Sequence, residues 1–377
     1  EIFVEIERLK LFGPTEEELR RARGILETAE ASTQEEVLGQ ASILAHYEAR
    51  GDYRRYEREL AELREVSVED VQRVAHQYLD LDNANLLEYV PIRVFDGRPS
   101  DEMREHMRGA VLAAVDAGYT LFDHADIYGG GECESLFGEV LRGSAGLRDA
   151  IVIASKCGVR FAGSPNADDP ARYDFSTDHI VTSVEGSLNR LGIEHLDLLM
   201  LHRPDYLMHV EEVARAFDRL SSAGKVASFG VSNFSPSQFD LLQAALPAPL
   251  LTNQVEINLH NVSTLTDGTL DQCQRLNVTP QAWCPIAGVA YPAWGNTFSA
   301  EDEARIRSEL DRQCAAYGVA DWVVALAWLL KHPAGISPII GSTTPTRIAE
   351  ACMALDVDYS REDWYRLLEA RNGESVP

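Results

Sequence analysis

Residues 196–232, LDLLMLHRPDYLMHVEEVARAFDRLSSAGKVASFGVS, contain two apolar runs separated by an amphipathic stretch. The runs LDLLMLH and VASFGVS have the length and composition of buried strands, and residues 210–223 between them carry apolar side chains at helical spacing. A strand, a helix and a second strand in this order indicate a parallel βαβ unit. The fold therefore depends on how often this unit recurs.

The same alternation recurs through residues 91–377. In chain order, the candidate strands are IRVF, YTLFD, AIVIASK, LDLLMLH, VASFGVS, LTNQVEI, TPQAW and SPIIG. Eight such units favour an α/β fold of the (β/α)8 TIM barrel type, which typically takes about 250 residues. An open doubly wound sheet is the alternative.

Residues 1–90 have a different character, with few glycines and prolines and many acidic residues. Helical patterns dominate, and the last of them, SVEDVQRVAHQYL, opens with Ser67 as N-cap and Asp70 as its partner. We therefore expect a small, mainly helical N-terminal domain before a barrel domain over residues 91–377. Its acidic helices are either a solvated subdomain or a contact surface for another protein.

Charge and cysteine content exclude several classes of function. The chain has 60 acidic and 34 basic side chains, a net charge of −26, which argues against binding to nucleic acid or to an anionic membrane surface. The longest apolar run, residues 323–330, is far shorter than the roughly 18 residues that suggest a membrane span. Six cysteines without a CxxC pair predict a reducing compartment, the cytoplasm.

Four ionisable residues lie where consecutive strands of the predicted barrel end. Asp123 ends YTLFD, with Tyr128 in the next loop; Lys156 ends AIVIASK and His202 ends LDLLMLH. The C-terminal ends of barrel strands share one mouth, so we expect these side chains to meet there. An ammonium held by a carboxylate would lower the pKa of the phenol, and the imidazole would orient a carbonyl oxygen or share in the proton transfer. The set suits reduction of an aldehyde or ketone.

Reduction of a carbonyl needs a hydride donor, and the later strands offer groups that suit a nicotinamide. Ser232 and Asn233 end the fifth strand and Gln254 lies in the sixth, which places hydroxyl and amide groups near a carboxamide. Trp283 ends the seventh strand and offers a flat face for stacking. We expect these four residues to bind the nicotinamide.

The eighth strand is followed by IIGSTTPTRI, in which Gly341 forms a turn and Pro345 begins a helix. Ser342 and Thr343 lie just before that helix, where backbone N–H groups attract an anion, unless they only cap it. Arg347 adds a planar guanidinium, which can donate two hydrogen bonds to a phosphate. This segment is the predicted site for the phosphate groups of the cofactor.

Six ordered motifs, FDHADIYGGGECE, IASKCG, LDLLMLHRPD, GKVASFGVSNF, NQVEIN and SPIIGSTTPTRI, resemble those of bacterial aldo-keto reductases. The resemblance implies NADPH-dependent carbonyl reduction with Tyr128 as proton donor, Asp123 and Lys156 tuning it, and His202 orienting the substrate. It also implies cofactor contacts from Ser232, Asn233, Gln254, Trp283, Ser342, Thr343 and Arg347. A lysine common beside the phosphate is replaced near Gly341, so NADH remains possible as cofactor. The first strand lacks the family's glycine-rich signature and is expected to be aberrant.

Residues 1–90 resemble another family, the C-terminal part of pitrilysin or insulinase-like zinc peptidase domains. The resemblance rests on LFGPTEEELRRARG and GDYRRYERELAELREVSVEDVQRVAHQYLD. The zinc motif H-x-x-E-H is missing, since His46 has no second histidine near it, so we expect neither a metal site nor peptidase activity. Joined to a reductase, such a remnant suggests a gene fusion, a truncated rearrangement or an assembly error.

Three functions remain open from the sequence. The first is a carbonyl reductase acting on a small-molecule aldehyde or ketone. The second is a non-catalytic nicotinamide-binding regulatory or scaffold subunit, in which the N-terminal helices contact a partner. The third is a non-functional fusion product whose barrel does not close. For Asp123 and Lys156, the structural alternative is an ordinary buried ion pair.

Overall fold

In the computed structural model of the protein, the structure describes residues 8–10, 12–24, 63–78, 100–291, 293 and 298–376. The chain divides into two compact units, Glu1–Pro91 and Ile92–Pro377. In the first unit, helix α1 spans Val68–Tyr78. Its N-cap is the predicted one, because the Ser67 hydroxyl accepts from the Asp70 N–H at 3.1 Å and donates to the Asp70 carboxylate at 2.8 Å.

The second unit contains a curled sheet of seven parallel strands in the order β1-β2-β5-β6-β7-β8-β9. These strands are β1 Leu121–Asp123, β2 Val152–Cys157, β5 Leu196–Leu201, β6 Val226–Ser232, β7 Thr252–Glu256, β8 Thr279–Trp283 and β9 Ser337–Pro338. Strands β3 Val159–Arg160 and β4 Arg172–Tyr173 form a separate antiparallel pair. Together with the helices, the sheet is an α/β arrangement of the (β/α)8 barrel type. The predicted first strand, IRVF at residues 92–95, lies outside the described residues.

Helices follow the strands as the sequence pattern predicts. They are α2 Asp101–Asp116, α3 Glu132–Arg142, α4 Leu147–Ala150, α5 Thr177–Leu191, α6 Val210–Ser222, α7 Pro236–Gln243, α8 Thr269–Leu276, α9 Ala300–Tyr317, α10 Asp321–Leu330, α11 Pro345–Ala351 and α12 Arg361–Asn372. Short 3-10 turns span Tyr128–Gly131, Ser263–Leu265 and Cys352–Leu355. The helix predicted at residues 210–223 is confirmed as α6.

Serine N-caps fix where several of these helices begin. Ser100, Ser176, Ser235 and Ser299 each accept a hydrogen bond from a backbone N–H in the first turn of the helix that follows. Each cap satisfies a donor that the helix itself leaves unpaired, which sharpens the change from strand-end loop to helix.

The core lies between the sheet and the helices, with strands buried as near-continuous apolar runs. In β5, every residue but Asp197 is buried, and in α10 all residues from Val323 to Leu329 are buried. Within the described part of the chain, no single helix is long and apolar enough to cross a membrane. The helices α9 and α10 meet the length and composition criteria only as a pair, bent by 87°.

Parallel pairing places the ends of neighbouring strands side by side. Asp123 on β1 aligns with Ala154 on β2, and Lys156 on β2 aligns with Met200 on β5. Since all seven strands run in the same direction, residues that end one strand lie next to residues that end the next. The residues that end the strands therefore lie together at the C-terminal edge of the sheet, where an active site is expected.

Candidate active site

A buried ion pair lies at the C-terminal end of β1 and β2. The Lys156 ammonium donates to the Asp123 carboxylate at 2.6 Å, and the two side chains are 0% and 8% exposed. Asp123 Oδ1, the other carboxylate oxygen, is buried and has no hydrogen-bond partner among the described residues. A charge pair this deeply buried is costly unless another group uses it, so the unsatisfied oxygen indicates a functional site.

Tyr128 lies over this pair, in the 3-10 turn Tyr128–Gly131. Its ring centroid is 5.0 Å from Lys156 Nζ, and its ring meets the His202 ring edge to face at 5.8 Å and 82°. The turn that carries Tyr128 continues through glycines with positive φ, such as Gly129 at 61°, a conformation that other residues rarely adopt. Tyr128 is 36% exposed, so a ligand can reach it.

The net effect on the Tyr128 hydroxyl differs from the sequence-based expectation. Burial raises the pKa of Tyr128, and this outweighs the opposing influence of the Lys156 ammonium, which lowers the pKa through its charge and through hydrogen bonding. The prediction that the Tyr128 pKa is lowered is therefore wrong, because the net change is upward. The phenol is protonated at neutral pH, with a cation placed to stabilise the phenolate that forms after proton loss.

His202 follows β5 and faces the same group of side chains. Burial, and then the positive charges of Lys156 and Arg203, lower the pKa of His202 to about 3, so its imidazole is neutral at physiological pH. Its Nδ1 atom is buried without a hydrogen-bond partner within the described part of the chain. A neutral imidazole can donate a hydrogen bond from one nitrogen to a carbonyl oxygen without carrying a charge.

Asn233 lies at the end of β6 in a left-handed conformation, with φ of 60°. Its side-chain amide donates to Ser232 Oγ at 2.9 Å and to the His202 carbonyl oxygen at 3.3 Å. Its amide oxygen accepts from the Trp283 indole N–H at 2.9 Å. This network joins β5, β6 and β8, so the structure brings together three of the four predicted nicotinamide-binding residues with His202.

Gln254, the fourth, is buried in β7, where its amide donates to Gln281 Oε1 at 2.9 Å. Its backbone carbonyl accepts from Ser232 Oγ at 2.8 Å. Trp283 carries the Arg203 guanidinium over its ring at 5.7 Å. The side-chain amides of Asn233 and Gln254, which were predicted to bind a carboxamide, are thus already hydrogen-bonded to other protein groups, so a bound carboxamide must replace some of these bonds.

A cavity of about 540 Å³ is lined mainly by apolar residues of α2, β1 and β9, and Asp123, Ser342 and Thr343 also line it. In the loop after β9 the Ser342 hydroxyl accepts from the Thr344 N–H at 3.2 Å. Thr344, not Ser342 or Thr343, is the N-cap residue of α11, which begins with Pro345 as predicted.

Arg347 lies in the first turn of α11. Its side chain is exposed and makes no ion pair with any residue that the structure describes. Space around Gly341 is open, with no atom within 4 Å of a Cβ placed there. The loop and Arg347 are therefore available to a negatively charged group.

Sequence reasoning missed a second buried charge network beside the site. The fully buried Glu134 carboxylate accepts from Ser155 Oγ at 2.6 Å and from Arg190 Nε at 2.7 Å. Ser155 precedes Lys156 on β2, so the network fixes the strand that carries the lysine. The signal was present, because Glu134 lies one turn before Phe137 on the apolar face of α3, where a charge needs a partner.

Asp126 was also missed. It lies between Asp123 and Tyr128, and its carboxylate accepts from the Ser183 hydroxyl of α5. Its backbone N–H donates to the Lys156 carbonyl at 3.0 Å. A second acidic residue in the motif DHADIY was the available signal, but a single sequence gives no direction for its side chain.

No group of three or more metal-ligating side chains occurs within the described ranges. A sequence model described as the aldo/keto reductase family matches residues 95–372. The match covers the whole of the sheet and every residue of the candidate site.

Two curated relatives and one solved structure define the similarity further. The chain is 42% identical over 267 residues to the uncharacterized oxidoreductase YcsN of Bacillus subtilis, covering 70% of this chain and 87% of that protein. It is 40% identical over 283 residues to a 6-dehydroglucose reductase of Agrobacterium fabrum, covering 74% and 92%. A crystal structure of an aldo/keto reductase from Klebsiella pneumoniae with NADP and acetate has a TM-score of 0.59 at 25% identity, covering 71% of this chain and 86% of that one.

The resemblance of residues 1–90 to a zinc peptidase has no support from these comparisons. The family match begins only at residue 95. His46, the residue nearest to the peptidase motif in sequence, lies outside the described residues. The peptidase interpretation rested on the pattern of charged and apolar residues in amphipathic helices, which many unrelated helical segments share.

Proposed function

Since the chain belongs to the aldo/keto reductase family and is an NAD(P)H-dependent oxidoreductase, we propose that it reduces aldehydes or ketones to alcohols, with Tyr128 as the proton donor. The observation that supports this most directly is the buried Lys156–Asp123 pair beneath Tyr128 and beside a neutral His202. An isolated structural ion pair would need neither a phenol over its cation nor an imidazole at its edge.

Tyr128 acts as an acid in the reduction. A hydride adds to the carbonyl carbon, the electron pair of the C=O bond moves to oxygen, and that oxygen takes the phenol proton. The raised pKa keeps Tyr128 protonated until this step. Lys156 then stabilises the phenolate, and Asp123 holds Lys156 in place. Solvent reprotonates Tyr128 through its exposed side.

His202 positions the substrate. A neutral imidazole donates a hydrogen bond to the carbonyl oxygen, which polarises the C=O bond and directs the oxygen toward the Tyr128 hydroxyl. The low pKa of His202, about 3, excludes it as the proton source at neutral pH, since it holds no second proton there. His202 therefore orients the substrate, and Tyr128 protonates it.

The residues present fit a nicotinamide dinucleotide phosphate. Arg347, which is exposed and makes no ion pair with a described residue, suits a phosphate, and the loop at Gly341, Ser342 and Thr343 suits further phosphate oxygens. When bound, NADPH supplies the hydride. Arg347 favours NADPH over NADH because only NADPH carries the additional phosphate.

At the other end of this cofactor site, Ser232, Asn233 and Gln254 would hold the carboxamide, and Trp283 would pack against the ring. Their present hydrogen bonds keep these side chains directed at one place. Among substrates, the name of the Agrobacterium relative supports a sugar-derived carbonyl compound as one member of the class.

Outside the barrel we propose that residues 1–90 form a separate acidic domain, joined by gene fusion, that serves as a contact surface for a protein. Their charge favours such a role over binding to a phosphate backbone. All six cysteines are free, which supports a reducing, cytoplasmic location. Cross-linking in cells, followed by mass spectrometry, would test both proposals. It would identify the proteins that contact residues 1–90, and the compartment of those proteins would indicate where this chain is located.

The test of the proposed function combines binding and turnover on the full chain. NADPH and NADH are titrated in parallel by fluorescence, and oxidation of each is then followed with a panel of aldehydes, ketones and sugar-derived carbonyl compounds. We expect tighter binding of NADPH and turnover with at least one carbonyl. Tight binding without turnover would instead favour a non-catalytic regulatory or scaffold subunit. Failure to bind either nucleotide would favour a non-functional fusion product.

A further inference from the structure

A charged residue directly follows His202 and has no part in the chemistry proposed above. Arg203 lies just beyond the end of β5, at the C-terminal edge of the sheet, and its side chain is partly buried. Its positive charge is one of the causes of the low His202 pKa, which places the guanidinium within electrostatic reach of the imidazole. Arg203 is therefore a neighbour of any carbonyl compound that His202 orients.

The indole of Trp283 holds this guanidinium in position. Arg203 Cζ lies 5.7 Å from the centroid of the Trp283 ring, a cation–π contact. The ring itself is fixed, because its N–H donates to the Asn233 amide oxygen at 2.9 Å. A guanidinium packed on an aromatic ring still presents N–H groups along its edges. The contact thus orients Arg203 and leaves its donors available.

No carboxylate among the described residues neutralises Arg203. Its side chain makes no ion pair or hydrogen bond with any of them, and none of its nitrogens is a buried atom without a partner, so the N–H groups are open to a ligand. Asp205, close by in the chain, accepts instead from two backbone N–H groups. Glu256, at the end of β7, accepts from two asparagine side chains. These acidic residues bind other groups, and Arg203 keeps its capacity to bind an oxyanion.

An oxyanion that reaches Arg203 has to come from the substrate and not from the cofactor. The proposed phosphate site lies after β9, and three strands separate β9 from β5 in the sheet. The nicotinamide end of the cofactor, proposed to lie near Trp283, carries an uncharged carboxamide. Lys156, the other cation near His202, is already paired with Asp123 at 2.6 Å. A negatively charged group beside the reacting carbonyl therefore has Arg203 as its available partner.

We propose that Arg203 selects carbonyl substrates that carry a carboxylate, which accepts two N–H groups of its guanidinium while His202 holds the carbonyl oxygen. This inference rests on the proposed reductase function, since it names the substrate class of the same site. A planar guanidinium matches a carboxylate at two points, which a neutral oxygen does not offer. In a chain of net charge −26, the cation also offsets the general repulsion of an anionic substrate.

Pairs of aldehydes that differ mainly in charge test the proposal on the full chain with saturating NADPH. Succinic semialdehyde, meta-carboxybenzaldehyde and para-carboxybenzaldehyde place a carboxylate at different distances from the carbonyl, and the methyl ester of each is its uncharged counterpart. For at least one pair, we expect kcat/KM of the acid to exceed that of the ester by about tenfold to 100-fold. The difference should lie in KM, because the carboxylate is bound equally before and during hydride transfer. Equal kcat/KM for acid and ester in every pair would overturn the proposal.

Substitution of Arg203 tests whether this preference comes from its guanidinium. Arg203→Gln removes the charge, and we expect the acid-to-ester ratio of kcat/KM to fall toward one through a higher KM for the acid. Arg203→Lys keeps a charge but loses the planar geometry, so its ratio should be intermediate. Arg361→Gln changes an exposed arginine of α12 and is the matched control, which should keep the wild-type ratio. An unchanged ratio in Arg203→Gln would overturn the proposal, since the selectivity would then come from another residue.

Binding without turnover distinguishes failure of this proposal from failure of the reductase function. Benzoate, which has a carboxylate but no reducible carbonyl, is titrated by calorimetry into the full chain with NADPH bound, and methyl benzoate is the neutral comparison. We expect Arg203→Gln to bind benzoate about tenfold more weakly than the wild type does. If this difference is found but no aldehyde is turned over, the reductase function fails, while recognition of a carboxylate by Arg203 is still supported.

Two further results would contradict the role of Arg203 and leave the reductase function intact. The first is equal benzoate binding by the wild type and Arg203→Gln, together with esters that are reduced as efficiently as acids. The second is a loss of NADPH affinity in Arg203→Gln as large as its loss of benzoate affinity, which would mean that Arg203 binds the cofactor.

Discussion

The two ends of the proposed active site are built in opposite ways. At the catalytic end, Lys156 and Asp123 are buried and joined at 2.6 Å, and Tyr128 and His202 close over them. At the phosphate end, Arg347 is exposed on a short helix and makes no ion pair with a described residue. The first end is preorganised by the fold, whereas in the proposed function the second gains its partner from the cofactor phosphate.

This difference predicts which substitutions should affect folding as well as function. Groups at the catalytic end support the core, and their removal leaves buried charge without compensation. Groups at the phosphate end contact solvent, and their removal should change affinity alone.

The largest effect is expected for Lys156→Met. The substitution removes the cation that stabilises the Tyr128 phenolate and leaves the Asp123 carboxylate buried and unpaired, a loss that typically costs about 3–5 kcal/mol of folding free energy. We expect no measurable turnover and a thermal midpoint lowered by many degrees. Calorimetry and the carbonyl reduction assay measure both.

The double variant Lys156→Met with Asp123→Asn is the control for charge burial. Neutralising the carboxylate should restore most of the stability without restoring activity. If Lys156→Met alone were as stable as the wild type, the pair would not be the preorganised element that its burial indicates.

Tyr128→Phe should separate chemistry from folding. Loss of the hydroxyl removes the proton donor, and general acids typically contribute a factor of about 10²–10⁴ to the rate. Because Tyr128 is 36% exposed and its ring remains, we expect the thermal midpoint and the affinity for NADPH to stay close to wild type. Steady-state kinetics and a nucleotide titration measure the two quantities. Full activity in Tyr128→Phe would remove this residue from the mechanism.

His202→Ala is expected to reduce kcat/KM about 100-fold, with most of the loss in kcat, since the hydrogen bond that polarises the carbonyl is lost. His202→Gln, which keeps a donor, should recover part of this loss. Because the pKa of His202 is about 3, the wild-type pH–rate profile should show no histidine ionisation between pH 5 and 8. An acidic limb near pH 6.5 that disappears in His202→Gln would contradict the neutral assignment.

The same lowered pKa makes stability depend on pH in a defined direction. The unfolded chain protonates His202 near pH 6.5, while the folded chain keeps it neutral down to about pH 3. Protonation therefore favours the unfolded state as the pH falls below 6.5, by about 2 kcal/mol at pH 5. We expect His202→Gln to gain stability relative to the wild type between pH 7 and pH 5, as measured by chemical denaturation.

The catalytic end was largely predictable from the sequence, for a physical reason. Asp123, Lys156 and His202 lie at or immediately after strands whose apolar runs are unmistakable, and parallel pairing then brings strand ends together. The sequence could not show whether burial or the Lys156 charge has the larger effect on the pKa of Tyr128. The lowering of the Tyr128 pKa by Lys156 was foreseen, but the larger opposing effect of burial depends on the packing around the turn.

The amide network at the end of β6 shows the same limit in another form. Residue types at Ser232, Asn233 and Trp283 indicated a polar binding site, but the sequence does not show that Asn233 takes a left-handed conformation and ties Trp283 to His202. Glu134 and Asp126 were overlooked because their partners, Arg190 and Ser183, lie on α5, more than fifty residues away in the chain. Long-range partners of this kind follow from the fold and not from local pattern.

The smallest effect is expected at the phosphate end, where Arg347→Ala tests the other half of the contrast. The substitution removes a charge-assisted contact to the additional phosphate of NADPH, for which about tenfold to 100-fold in KM is typical. NADH lacks that phosphate, so its KM should not change, and kcat with either nucleotide should stay near wild type. Steady-state kinetics with both nucleotides give the comparison within one variant.

Arg361→Ala is the matched control, because Arg361 is another exposed arginine in the first turn of a helix and makes no ion pair with the residues that the structure describes. It should leave both KM values unchanged, and both arginine variants should keep the wild-type thermal midpoint. An equal loss of affinity for NADPH and NADH in Arg347→Ala would mean that the residue contacts a group common to both nucleotides. A lowered thermal midpoint would mean that the phosphate end, like the catalytic end, contributes to the stability of the fold.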